Sequence, residues 1–127
     1  MRVVRAAASA TDESLDAGRV ARLREVPARE GGDAFQVIAR MYLRDAPQHV
    51  AAVQEAAGRA DADAVRGAAH TLRGGSANLG AARVAALCEE IEQRARDGAV
   101  PPPDLVQRLV DEFAAVQGLL ATELEQT

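Results

Sequence analysis

The 127-residue chain is poor in the residue types on which several classes of protein depend. It has no tryptophan, one tyrosine and two phenylalanines, so aromatic rings cannot dominate its core. The single cysteine, Cys88, excludes an internal disulfide framework and any zinc site built from paired cysteines. Lys and Arg number 15 against 19 Asp and Glu, and the net charge of −4 argues against a nucleic-acid-binding protein that works through a basic surface.

Long apolar runs are also missing from the chain. None approaches the roughly 20 residues that span a bilayer, and Arg5 interrupts the N-terminal apolar stretch, which is too short for a secretory signal. We therefore expect a cytoplasmic protein with no membrane segment. A chain of this length favours one domain, so we interpret residues 1–13 as a flexible tail and residues 14–127 as a helical domain.

Alanine and aliphatic residues fill the place of the missing aromatics, and hydrophobic residues make up 48% of the chain. Alanine is the best helix former and a weak strand former, and no segment shows sustained strand-like alternation. Three stretches place apolar or small residues three and four positions apart, which predicts the buried faces of three helices: Val65, Ala69, Leu72, Ser76 and Leu79; Val84, Leu87, Cys88, Ile91 and Ala95; and Leu105, Leu109, Phe113, Val116, Leu120 and Leu124.

The first half of the chain contains more breakers and predicts shorter helices. A first helix carries Val20 and Leu23, and a second, capped by Asp33, carries an apolar face. The segment Asp45-Ala46-Pro47 is typical of a new N-cap with proline in the first turn, so a third helix is expected from there. The residues assigned to the apolar faces of the second and third helices are Phe35, Ile38, Met41 and Tyr42, and Val50, Val53 and Ala57.

Helices of this length joined by short turns predict an all-α fold, an antiparallel up-down four-helix bundle with one or two short N-terminal helices that cap one end. The bundle by itself indicates no function, because many unrelated functions use it. A site has to be argued from particular side chains.

His70 lies one position away from the predicted buried seam, so its side chain is expected at the edge of the core, within reach of solvent. Gly74 and Gly75 follow in mid-helix, where each glycine costs about 1 kcal/mol relative to alanine. Gly74 shares the face of His70, and its missing side chain leaves room for another molecule to approach the imidazole. The alternative is that Gly74 serves close packing between helices. Arg73 could place a guanidinium beside an anion that reaches the ring.

The turn at Gly80 predicts which residues face His70 across the helix pair. His70 lies ten residues before Gly80, and the same level after the turn falls at residues 90–92. Glu92 flanks the core there, and its carboxylate is a candidate acceptor for the imidazole Nδ1–H, which would leave Nε2 free as a nucleophile. The alternative is a surface carboxylate paired with Arg96 four residues on.

The segment His70-Thr71-Leu72-Arg73-Gly74, followed by small residues and by Gly80, resembles the signature of the histidine-containing phosphotransfer (HPt) domain family. The similarity extends from about Leu15 to the last helix. It implies that His70 accepts a phosphoryl group from the aspartyl phosphate of a receiver domain and passes it to another receiver. Arg73 replaces the usual lysine as the group that stabilises the phosphoryl, and Glu92 stands where several members have glutamine.

The resemblance also implies partners and the absence of resident chemistry. Response-regulator receivers or a hybrid histidine kinase would dock on the face around Gly74, with Arg66 and Ala77 nearby and Ser76 as an optional phosphate contact. Mg²⁺ is expected on the receiver, and no cofactor, nucleic-acid contact, kinase activity or ATPase activity is expected of this chain, which we expect to be monomeric. Two alternatives remain: an HPt-like module that binds a receiver or kinase without being phosphorylated, and the phosphoacceptor domain of a larger histidine kinase.

Overall fold

Five α-helices form the regular structure of residues 14–126, which are the residues that the computed structural model describes. Within these residues the only β-type pairing is an isolated bridge between Pro27 and Asp33, so the predicted all-α class is confirmed. The predicted tail, residues 1–13, lies outside the described residues. The helices, in chain order, are α1 (Ala17–Arg24), α2 (Ala34–Gly58), α3 (Ala62–Leu79), α4 (Ala82–Arg96) and α5 (Pro103–Glu125).

Local signals in the sequence define several helix ends. Asp33 and Gln36 form a capping box at the start of α2, in which the side chain of each accepts a hydrogen bond of 2.9 Å from the backbone N–H of the other. The Asp61 carboxylate caps α3 by accepting from the backbone N–H of Ala64 at 3.1 Å. Gly80 ends α3 with a φ of 99°, a left-handed conformation that glycine adopts without a steric penalty.

The predicted helix break at Asp45-Ala46-Pro47 is wrong, because α2 runs without interruption from Ala34 to Gly58 and contains Pro47. The Asp45 carboxylate bonds to the neighbouring Arg44 side chain instead of capping a helix. The buried face of α2 continues as one stripe past Pro47. The packing of this stripe against the bundle offsets the loss of the backbone hydrogen bond that proline cannot donate. The stripe consists of Phe35, Ala39, Tyr42, Ala46, Val50, Val53 and Ala56.

Helices α2 to α5 form the predicted up-down bundle, in which α3 packs mainly on α2 and α4, and α5 packs on α2 and α4. The buried faces of the last three helices agree closely with the predicted ones, although Leu87 and Leu124 are only partly buried. The rings of Tyr42 and Phe113 pack inside the bundle with their centroids 5.8 Å apart. None of the described helices is long and apolar enough to span a membrane.

Helix α1 caps the end of the bundle where α3 turns into α4. The Arg19 guanidinium donates to the backbone oxygen and the side-chain oxygen of Asn78, both at 2.9 Å. On the same helix the Arg24 guanidinium lies 4.4 Å from the centre of the Phe35 ring and donates to Glu123 at 2.7 Å. One capping helix is therefore present, and it holds the bundle at the end, leaving the middle of α3 exposed on its outer side.

Candidate functional site

His70 stands at mid-height on the outer flank of α3, and its side chain is 64% exposed. The adjacent Ala69 and the nearby Leu72 are buried in the core, at 0% and 1% exposure. The helix thus turns His70 away from the buried seam while keeping the base of its side chain against the bundle. The structure confirms the prediction that solvent can reach the ring.

Glu92 on α4 contacts the imidazole from the bundle side. Its Oε2 atom lies 3.0 Å from His70 Nδ1, and the residue as a whole is only 4% exposed. The two residues stand near the same level of the hairpin, ten residues before and twelve residues after Gly80, within the range that the hairpin geometry predicts. The contact therefore holds one ring nitrogen against a buried group and leaves the other edge of the ring outside.

The proton on the ring can be assigned from the chemistry of Glu92. Burial by itself raises the pKa of this carboxyl, but hydrogen bonds from His70 and Arg73 together with their charges lower the pKa below its ordinary value. An ionised carboxylate only accepts hydrogen bonds, so we assign the hydrogen to His70 Nδ1, which donates it to Glu92. In the neutral ring the lone pair is then on Nε2, the outer nitrogen.

Two arginines complete the cluster around this carboxylate. Arg73 donates from Nε to Glu92 Oε1 at 2.9 Å, and its Nη2 atom lies 3.1 Å from His70 Nδ1. Arg96 donates from Nη2 to Glu92 Oε2 at 3.0 Å. The pairing of Glu92 with Arg96 that the sequence left as an alternative is present, but it occurs together with the His70 contact, and Glu92 is not a surface carboxylate.

Gly74 lies one helical turn from His70 and faces open space. A Cβ atom at Gly74 would meet no other group within 4 Å, so packing between helices does not require glycine there. A Cβ atom at Gly75 would lie at an ordinary contact distance of 3.8 Å from the Tyr42 ring. Arg66 and Ala77 are exposed on α3 before and after this point, so the predicted docking residues all remain open on α3.

Ser76 does not reach the region where a phosphate on the outer nitrogen of His70 would lie. Its side chain is fully buried, and its Oγ atom shares a hydrogen bond of 2.8 Å with the hydroxyl of Tyr42. Its place on the buried seam, which the sequence itself indicates, turns it into the core. The prediction of a phosphate contact for Ser76 therefore finds no support in the geometry.

An exposed apolar strip on α2, which Val37 and Met41 form, was not predicted from the sequence. Met41 is 48% exposed and Val37 43% exposed, although Met41 was assigned to the buried face. Met41 lines a groove between the two helices together with Thr71 and Gly75 of α3. These two residues directly follow His70 and Gly74 in the sequence. The spacing of Phe35, Ala39 and Tyr42 excludes Met41 from the seam, and this signal was available in the sequence.

The remaining candidates for chemistry are inert or absent in the described part of the chain. Cys88 is fully buried, and burial raises the pKa of its thiol to about 12, so it is a small core residue, as predicted. Among residues 14–126 no group of three or more His, Cys, Asp or Glu side chains is placed to hold a metal ion. The His70 cluster is therefore the candidate site.

Comparison with known families agrees with this geometry. The model of the Hpt domain family matches residues 37–126, which include the whole His70 cluster and well over half of the chain. The chain belongs to the Hpt domain family. A search of curated proteins found no match.

The structure of this Hpt domain is also similar to a solved one. The crystal structure of histidine-containing phosphotransfer protein B (HptB) from Pseudomonas aeruginosa PAO1 is 32% identical in sequence, with a TM-score of 0.81. The match covers 90% of this chain and 96% of that chain. The bundle of this Hpt domain is thus shared with a histidine phosphotransfer protein.

Proposed function

We propose that this Hpt domain carries phosphoryl groups on Nε2 of His70, taking them from the aspartyl phosphate of one response-regulator receiver and giving them to the aspartate of another. One observation carries the assignment to His70. The ring is 64% exposed while its Nδ1 atom is bonded to the buried Glu92 carboxylate, so its outer nitrogen is the one available to a partner.

The transfer step follows from this arrangement. The Nε2 lone pair attacks the phosphorus of the aspartyl phosphate as the bond from phosphorus to the carboxylate oxygen breaks, and the receiver's aspartate leaves as a carboxylate. The phosphorylated ring keeps its hydrogen on Nδ1, and Glu92 stabilises the positive charge that develops on the ring by accepting that hydrogen bond. Transfer to the second receiver is the same step in reverse.

Arg73 is the residue that we assign to the phosphoryl oxygens. Its side chain is 36% exposed and lies against His70, so a rotation of the guanidinium would bring it to a phosphoryl group on the outer nitrogen. A guanidinium supports several hydrogen bonds to phosphate oxygens. The charge on Arg73 would thus oppose the negative charge of the group being transferred.

The docking surface that we propose surrounds His70 on α2 and α3. Gly74 gives the receiver backbone room near the ring, the strip of Val37 and Met41 supplies apolar contact, and Arg66 and Ala77 lie on the same open side of α3. A modest interface suits a complex that must dissociate after each transfer. We propose that the domain acts as a monomer.

In the proposed function, the protein relays phosphoryl groups from other proteins and does not itself transfer them from ATP. The receiver would supply Mg²⁺ and most of the transition-state electrostatics, and we expect ATP alone to leave the chain unlabelled. The helices described give no membrane span, and we place the protein in the cytoplasm, where it can meet receiver domains.

A labelling experiment with His70→Gln tests the proposal. Purified receiver domains carrying radiolabelled aspartyl phosphate are mixed with the wild-type chain and with the variant, and the label on each chain is followed together with its stability to acid. We expect an acid-labile label on the wild type and none on His70→Gln, with the helicity of the two chains equal by circular dichroism.

One control variant and two contrary outcomes make the result decisive. His49→Gln replaces the other histidine of the chain and should leave labelling intact. Undiminished labelling of His70→Gln would refute the assignment to His70, and a wild-type chain that binds receivers without taking up label would instead identify a module that sequesters them.

A further inference from the structure

A second arginine binds the same carboxylate oxygen that orients His70. Arg96 Nη2 and His70 Nδ1 both lie 3.0 Å from Glu92 Oε2, while Arg73 occupies Oε1. Arg96 lies four residues after Glu92 on α4, and its side chain is 54% exposed. Its contact in the site is the hydrogen bond to Glu92, so an effect of Arg96 on the geometry of the ring would act through that carboxylate.

The Glu92 carboxylate presents an electrostatic problem for phosphoryl transfer. It is held at one edge of the imidazole while the incoming group, which is also negative, must bind at the other edge. Like charges this close repel, and the low exposure of Glu92, 4%, weakens solvent screening of the repulsion. A cation that stays on Glu92 throughout the transfer would reduce this repulsion.

Arg73 neutralises Glu92 less fully once it binds the phosphoryl oxygens, because its single positive charge then serves two negative groups. In the structure it bonds to Glu92, and in the proposed transfer it turns toward the phosphoryl group. Arg96 approaches Glu92 from its own helix and on the other oxygen, so it can remain in place when Arg73 leaves. During transfer, Arg96 would thus neutralise Glu92 on one side of the ring, and Arg73 would neutralise the phosphoryl group on the other side.

We propose that Arg96 is a positioning residue that keeps the Glu92 carboxylate neutralised and fixed on His70 Nδ1 while Arg73 engages the phosphoryl group. This inference rests on the proposed phosphoryl transfer through His70. It predicts that Arg96 matters only as long as residue 92 carries a negative charge.

A double-mutant cycle tests the inference. Initial rates of label transfer from a phosphorylated receiver are measured for wild type, Arg96→Ala, Glu92→Gln and the double variant, with His70→Gln as the blank. We expect Arg96→Ala to slow transfer about three- to tenfold in the wild-type background and less than about twofold in the Glu92→Gln background. Arg96→Lys, which keeps the charge, should restore most of the rate.

Arg94→Ala is the matched control, because Arg94 lies on the same helix, is similarly exposed and pairs with Glu90 instead of Glu92. It should change the rate less than about twofold. Thermal unfolding followed by circular dichroism shows that each variant remains folded.

The possible results separate this inference from the function on which it rests. Equal losses from Arg96→Ala in both backgrounds, or an equal loss from Arg94→Ala, would show that Arg96 attracts the receiver by its charge alone and would overturn the inference. An unchanged rate for Arg96→Ala in a chain that is labelled would also overturn it. A wild-type chain that no receiver labels would overturn the proposed function and this inference together.

Discussion

His70 Nδ1 and Glu92 Oε2 lie 3.0 Å apart across the hairpin of α3 and α4, although 22 positions separate the two residues in the sequence. This contact fixes both the proton and the direction of the imidazole, since the acceptor is buried and ionised while the rest of the ring faces solvent. The chemistry of the outer nitrogen therefore depends on a residue that is itself almost inaccessible from the surface.

Replacing Arg73 by alanine should slow phosphoryl transfer by about tenfold or more, because a charged donor to the phosphoryl oxygens is lost. Arg73→Lys retains the charge and should lose less. Rapid-quench kinetics with a phosphorylated receiver would measure the transfer rate, and the decay of the isolated phosphorylated chain would give the lifetime of the phosphohistidine. Unchanged rates and lifetimes would reduce Arg73 to a residue that only helps to hold Glu92.

Replacing Gly74 by glutamine should block receiver docking while stabilising the isolated domain. The added side chain meets no group of this chain, and glutamine is favoured over glycine in mid-helix by about 0.5–1 kcal/mol. Urea unfolding would show the gain in the free energy of unfolding, and transfer kinetics would show the loss of receiver binding as a raised KM.

Gly118→Gln provides the matched control for the substitution at Gly74. Gly118 also lies in mid-helix with open space around it, but on α5, which packs on α2 and α4. It should give a similar gain in stability with no loss of transfer. Normal transfer by Gly74→Gln would refute the proposed approach of the partner at this point.

Ser76→Ala should destabilise the domain without affecting phosphoryl transfer. The substitution removes the hydroxyl that pairs with the buried Tyr42 hydroxyl at 2.8 Å, and an unpaired buried polar group costs about 1–3 kcal/mol. Chemical unfolding would measure the stability, and receiver-dependent labelling the transfer. A slower transfer at full stability would mean that Ser76 contacts the phosphate after all.

The ionisation of Glu92 should make stability depend on pH in the acid range. The folded state lowers the pKa of this carboxyl, so its contribution is complete above the pKa of the unfolded chain and is lost as the pH falls through the lower, folded value. The difference in the free energy of unfolding between wild type and Glu92→Gln should therefore be largest near neutral pH and shrink in acid.

Urea unfolding at a series of pH values would measure this difference. Glu90→Gln on the same helix is the control, since Glu90 pairs with Arg94 at the surface, where such a pair contributes little. Parallel stability curves for wild type and Glu92→Gln would show that the bonds from His70 and Arg73 do not hold the carboxylate ionised.

Much of the site could be predicted because it depends on local regularities of helices. The position of His70 beside the seam follows from helical periodicity, and the level of Glu92 follows from counting residues on either side of Gly80. What the pattern could not supply was the number of groups that meet at Glu92. Arg96 was considered only as a competitor of His70, whereas the carboxylate has two oxygens and accepts from His70, Arg73 and Arg96 together.

The error at Pro47 has a different physical origin. Asp45 and Pro47 carry the local signal of a helix start. An isolated peptide lacks the tertiary packing that could override this signal. In the folded domain Tyr42, Ala46 and Val50 bury one continuous face across the proline. Burial of that face depends on helices that lie far away in the sequence, so the local signal alone was misleading.

The sequence by itself determined the helical class, the buried seam of α3, the outward placement of His70 and the family to which the motif points. These properties depend on residue spacing along single helices and on one turn. The tertiary structure alone decided that α2 continues through Pro47, that Ser76 is tied to Tyr42 in the core, and that two arginines share the buried Glu92 carboxylate. Each of these depends on which side chains from different helices meet, and on the burial that follows, because burial changes the free energy of a charge or a hydrogen bond.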